Sequence, residues 1–116
     1  MKVLFALHDP PYGTERTYNA LRWARELLRQ NGNEVKVFLF GDAVVSVMAD
    51  QKVPSGFYNV GTMVDSLGRN GAEVGSCGTC LDARGIRDGQ IVSSTKRSSM
   101  AELAEWTTWA ERVINV

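Results

Sequence analysis

The sequence has no excess of either charge, a single histidine, two cysteines and three prolines, and each shortage removes a class of function. Lysine plus arginine equals aspartate plus glutamate at 13 each, and the charges are scattered along the chain. Neither a basic groove for nucleic acid nor a polybasic membrane patch is therefore expected. The opening segment Met1-Lys2-Val3-Leu4-Phe5-Ala6-Leu7 holds five uninterrupted apolar residues before His8-Asp9-Pro10. That is too short for a signal-peptide core or a membrane span, so no membrane partner and a cytoplasmic location are expected. Tetrahedral zinc needs ligands beyond Cys77, Cys80 and the sole histidine His8, which only a symmetric oligomer would supply, so no metal and no cofactor is expected. Cysteines separated by two residues cannot staple distant parts of the chain, and a reducing cytosol keeps them as thiols. Their role is expected to be chemical.

What is present points to one folded domain over residues 1–116, with 44% hydrophobic and 22% charged residues. No repeat, low-complexity tract or linker divides it. Short apolar runs alternate with segments of helical period, the pattern of an α/β fold. Val3 to Leu7 and Val35 to Phe40 read as strands covered on both faces of a parallel sheet. Between them Ala20, Leu21, Ala24, Leu27 and Leu28 recur at helical spacing, with Thr14 as the expected N-cap and Asn31-Gly32 as the stop. Gly41-Asp42 opens a short helical piece through Val44, Val45 and Met48 that Pro54-Ser55-Gly56 interrupts. A second helix is expected from about Asn59 to Asn70, then a short strand over Ala72 to Gly75 and helical turns over Leu81 to Arg84, closed by Gly85. Within Asp88 to Arg97, Ile91-Val92 and Ser94-Thr95 allow a further strand. Ser99-Met100-Ala101-Glu102 has capping-box spacing, and Met100, Leu103, Ala104 and Thr107 are the expected inner stripe of the last helix, before a closing strand over Arg112 to Val116. The sum is a single three-layer α/β/α domain with a mostly parallel sheet of four or five strands.

In such a sheet ligands bind beyond the carboxyl ends of the strands. Two loops are expected there: His8-Asp9-Pro10-Pro11-Tyr12-Gly13-Thr14 after the first strand, and Cys77 to Cys80 after the third. A thiol at the head of a helix faces unpaired N–H groups and the positive end of the helix dipole, both of which favour thiolate. Arg84 adds positive charge about two turns along.

These residues also carry a resemblance. Cys77-Gly78-Thr79-Cys80-Leu81-Asp82-Ala83-Arg84-Gly85-Ile86 resembles the cysteine motif of DsrE/DsrF-like proteins. The Pro11-Tyr12-Gly13 turn, the helix with Asn19, Ala20, Leu21 and Ala24, Phe40-Gly41-Asp42 and the ending Ser99-Met100-Ala101-Glu102-Leu103-Ala104-Glu105-Trp106 agree in order and spacing. The resemblance implies trimers or hexamers working in sulfur oxidation or tRNA thiolation relays, where a cysteine accepts sulfane sulfur as a persulfide from a donor protein and passes it to an acceptor. The family's relay cysteine is followed by Arg-Gly seven and eight positions on, as Cys77 is by Arg84 and Gly85. Cys80 departs from the relay subunits, where a small aliphatic residue is common; it is expected to resolve a Cys77 persulfide by forming a disulfide.

Plainer readings compete. A Cys-x-x-Cys thiol–disulfide oxidoreductase is one, although thioredoxin-like proteins carry a cis-proline after the motif and Pro10, Pro11 and Pro54 all precede Cys77. A non-catalytic oligomeric binding or regulatory protein on the same fold is another. Cysteines packed inertly as small apolar groups are a third, against which the flanking glycines argue. His8 reads equally as a hydrogen-bonded loop residue, Asp9 and Tyr12 as turn residues, Gly13 as backbone geometry, and Arg22, Arg25, Glu26 and Arg29 as a solvated helix face. Trp23 and Trp106 fall on the flanks of their helical stripes and Trp109 nearly opposite the core, so some tryptophan surface is expected to be exposed and to serve oligomerisation.

Overall fold

Val3 to Leu7 are all buried, as are Val37 to Leu39, because parallel strands joined by helical crossovers are covered on both faces. The computed structural model describes all 116 residues. Strand β1 spans Lys2–Leu7, helix α1 Arg16–Arg29 and strand β2 Glu34–Leu39; a 3₁₀ segment, Gly41–Val47, leads to α2, Val60–Arg69. Strand β3 spans Glu73–Cys77, α3 Gly78–Ala83, β4 Lys96–Ser98, α4 Met100–Trp109 and β5 Arg112–Asn115. The strand order is β4-β3-β2-β1-β5, and every neighbouring pair is parallel.

The first crossovers step from β1 to β2 to β3 to β4 in one direction, and the last returns across the sheet to β5. Right-handed crossovers therefore put α4 on the face opposite α1 and α2. The register agrees. Phe5 lies opposite Val37 and meets Trp23 of α1 edge-on at 5.6 Å, whereas the next residue, Phe38, points the other way and meets Trp106 of α4 at 6.1 Å. Each aromatic contact adds about 1 kcal/mol beyond its burial. The result is the expected three-layer α/β/α domain, with a sheet of five strands that is parallel throughout. No helix is long and apolar enough to cross a membrane.

Local signals place most boundaries. Asn59 caps α2 by accepting from the Thr62 amide at 3.0 Å, and Gly71 turns the chain out at φ +104. Elsewhere the structure corrects the expectation. The N-cap position of α1 is Glu15, not Thr14, whose hydroxyl instead donates to Asp9 at 3.1 Å. The fourth strand is Lys96–Ser98, and Ile91 makes only an isolated antiparallel bridge to Met48. Residues around Ser94 wrap onto α2 instead: Ser94 donates to Asp65 at 2.6 Å, and its carbonyl sits so close that a Cβ on Gly68 would meet it at 2.5 Å. The inner residue of α4 is Trp106, which is buried, while Met100, Ala104 and Thr107 are exposed and Leu103 is half-buried. Gly75 decides this, because a side chain there would touch the Trp106 ring at 3.0 Å. Ser99 caps α4 through the Glu102 amide at 3.2 Å, but the Glu102 carboxylate completes no box and turns to Lys96 and Ser98.

Candidate functional site

Because all strands run the same way, their carboxyl ends share one edge of the sheet. Strand β3 reaches further than Gly75 and ends at Cys77, which is at once its last residue and the position preceding α3. The next residues on neighbouring strands are Phe40-Gly41-Asp42 after β2 and Ser98-Ser99 at the end of β4. Both cysteines thus sit where a β-to-α turn meets two other strand ends.

Both thiols are free. Cys77 is only 2% exposed, yet it lines a surface cavity of about 350 Å³ with Gly78, Thr79, Asp82, Arg97, Ser98, Ser99 and Met100. Its Sγ lies 3.2 Å from the Thr79 hydroxyl. Cys80 is half-buried and faces β2, where its Sγ accepts the Gly41 N–H at 3.2 Å. Gly41 has φ +57, and a Cβ on it would lie 3.8 Å from the His8 carbonyl, so the end of β1 backs this contact.

The two thiols are driven apart in acidity. Burial pushes Cys77 up, but the Thr79 hydroxyl, the Cys80 thiol and the backbone N–H groups of Cys80 and Thr79 outweigh it and hold the thiol below its ordinary value. Burial pushes Cys80 up as well; the Gly41 N–H opposes, but the Cys77 sulfur adds to the rise and the net shift is upward. At neutral pH Cys77 is the better thiolate and Cys80 the one held protonated.

Arg84 acts on Cys80 more than on Cys77. Its Nη1 donates to the Cys80 carbonyl at 3.0 Å and its Nη2 to Asp42 at 2.8 Å, which fastens α3 to the end of β2. The other residues expected to bind substrate divide. Gly78 lines the cavity. His8 shares the sheet edge, but its ring packs tilted against Phe40 at 4.4 Å and its Nε2 bonds to Asn115, the last residue of β5, on the side away from β3. Asp9 is held by Thr14 and Arg16. The Tyr12 hydroxyl donates to Gln51 at 2.6 Å and accepts from the Val60 N–H at 3.1 Å, bracing the β1–α1 loop against the start of α2. Gly13, at φ +103, completes that turn. Asp9, Tyr12 and Gly13 are therefore not gathered around the thiols.

Sequence reasoning missed Thr79, Gly41 and Arg97. Thr79 stands between the two cysteines and was legible from the motif. Arg97 lies 19 residues from its partner Gly78, and only the β3–β4 register joins them. No three His, Cys, Asp or Glu side chains cluster closely enough to hold a metal ion.

Comparison with known proteins agrees with this fold. Residues 1–116 match the DsrE/DsrF-like family. The chain is 34% identical over 114 residues to protein YchN of Escherichia coli K12, covering 97% of each chain. It is 33% identical over 112 residues to an uncharacterized protein of Methanopyrus kandleri, covering 97% of this chain and 91% of that one. The crystal structure of the E. coli ychN protein superposes with a TM-score of 0.93 at 33% identity, covering 99% of this chain and 98% of that one.

Proposed function

Since the chain belongs to the DsrE/DsrF-like family, we propose that it carries sulfane sulfur on Cys77 in a cytoplasmic sulfur relay, between a donor protein and an acceptor protein. The observation that most supports this is the placement of Cys77 at the strand-to-helix turn, with its thiol lowered in pKa and opening onto a cavity. The Cys77 thiolate attacks the outer sulfur of a donor persulfide R–S–SH; the donor S–S bond breaks, R–S⁻ leaves, and Cys77 becomes Cys77–S–SH. Where no acceptor is docked, the Cys80 thiolate attacks Cys77 Sγ, expels hydrosulfide and leaves a Cys77–Cys80 disulfide, which a cellular dithiol reduces.

Cold cyanide tests the loading step. After exposure to a persulfide donor and desalting, Cys80→Ser, which cannot discharge the persulfide internally, is expected to release thiocyanate stoichiometric with Cys77, and wild type no more than that. A chain that exchanges disulfides with dithiols but retains no cyanide-labile sulfur even as Cys80→Ser is a Cys-x-x-Cys redox protein instead.

The carrier works as a trimer or hexamer in this reading. Trp23 on α1 is 52% exposed and Val113 on β5 is 48% exposed, and they flank the same edge of the sheet from its two faces. Light scattering at about tens of micromolar, a working range for a specific oligomer, is expected to give the mass of three or six chains. A monomer there contradicts this part of the proposal.

A further inference from the structure

The guanidinium of Arg97 lies across the turn that carries Cys77. Its Nη1 donates to the Gly78 carbonyl at 3.0 Å and to Asp82 Oδ1 at 2.9 Å, and its Nε donates to Asp88 Oδ1 at 2.8 Å. Sheet register sets this position, with Arg97 opposite Ser76 and Ser98 opposite Cys77. Gly78 leaves the room: a Cβ there would stand 3.1 Å from Arg97 Nη1 and 3.2 Å from the Ser98 carbonyl.

A trans peptide plane points its C=O and its N–H in opposite directions. Holding the Gly78 carbonyl toward β4 therefore turns the Thr79 N–H away from Arg97; the Cys77 sulfur has the Thr79 hydroxyl 3.2 Å away, and the Thr79 backbone N–H is among the groups that favour its thiolate. We infer that Arg97 is a positioning residue for Cys77: by gripping the Gly78 carbonyl it aims the Thr79 amide at the sulfur and so stabilises the thiolate. The inference rests on Cys77 being the reacting thiol, not on sulfur being its cargo.

The titratable groups on the elements packed around this turn are Cys80, Asp82 and Arg84 from α3, Asp88 from the following turn, Glu102 from α4, Asp42 after β2 and His8 after β1. Asp82 and Asp88 both pair with Arg97 and offset its charge. What distinguishes Arg97 is the direction of its hydrogen bond. Among the contacts that hold Cys77 below its ordinary value is the Thr79 backbone N–H.

The test is the pH profile of Cys77 alkylation by iodoacetamide in the full chain, read by mass spectrometry. Arg97→Gln is expected to move the profile to higher pH and to slow labelling at pH 7 roughly tenfold, the effect of about one unit on a thiolate fraction. Arg97→Lys keeps the charge but loses the planar fork, and its profile is expected to stay shifted. Gly78→Ala, which pushes the guanidinium away, is expected to move the profile the same way and decides the matter if Arg97→Gln does not fold. A wild-type profile in folded Arg97→Gln or Gly78→Ala overturns the inference, and so does full restoration by Arg97→Lys, which would make charge alone responsible. Alkylation needs no persulfide, so this result stands apart from whether the chain carries sulfur.

Discussion

Cys77→Ser is expected to bind no cyanide-labile sulfur after exposure to a persulfide donor, a complete loss, while Cys80→Ser loads as wild type does. A serine hydroxyl is not ionised at neutral pH, whereas the wild-type thiol is held below its ordinary pKa by the Thr79 hydroxyl, the Cys80 thiol and two backbone N–H groups, against the opposing effect of burial. The substitution is mild for the fold. Cys77 is buried at the end of a central strand, but the Thr79 hydroxyl 3.2 Å away gives a serine a hydrogen-bond partner. A cost of about 1 kcal/mol, near the centre of the range for point substitutions, leaves the domain folded. Retained labile sulfur in Cys77→Ser would move the carrier to Cys80 and invert the roles proposed here.

Cys80→Ser is expected to lengthen the life of the persulfide and to abolish the Cys77–Cys80 disulfide. The two thiols are adjacent enough for each to alter the other's acidity, so attack of Cys80 on Cys77 Sγ is intramolecular. Such alignment is expected to make hydrosulfide release in wild type faster by about tenfold or more than in the variant. The pH dependence follows from the direction of the Cys80 shift. Burial raises its pKa, so at neutral pH little Cys80 is thiolate and the persulfide is protected; as pH rises, more thiolate forms and release accelerates until Cys80 is fully ionised. In Cys80→Ser that acceleration disappears. The substitution preserves the contact with β2, because a serine hydroxyl can also accept the Gly41 N–H. Equal release rates in the two proteins, with no disulfide in wild type, would make Cys80 a packing residue.

The strand-helix alternation that sets the cysteines at the carboxyl edge was legible because its signals are local. The Ala20, Leu21 and Ala24 stripe, the Asn31-Gly32 stop and the helical segment from about Asn59 to Asn70 are each written within a few turns of chain, and the observed α1 and α2 follow them. Strand β4 was illegible for the opposite reason. Lys96-Arg97-Ser98 carries no apolar pattern, being an edge strand whose existence depends on pairing with Gly75 to Cys77. The buried face of α4 was likewise decided from outside the helix, by the missing side chain of Gly75 beneath Trp106. At the site, the motif put both thiols together, and Thr79 with them. His8, Tyr12 and Asp9 were expected at the same sheet edge, but Asn115, Gln51 and Thr14 draw their side chains elsewhere. Partners 107 and 39 residues away in sequence leave no local trace.

The most direct test of the carrier role is peptide-level mass spectrometry of the wild-type chain, loaded with a persulfide donor and then blocked with an alkylating agent. Fragmentation of the peptide that holds both cysteines is expected to place an added mass of about 32 daltons, one sulfur atom, on Cys77. The same mass found on Cys80, or on neither residue in both wild type and Cys80→Ser under conditions that load a control persulfide carrier, would contradict the account.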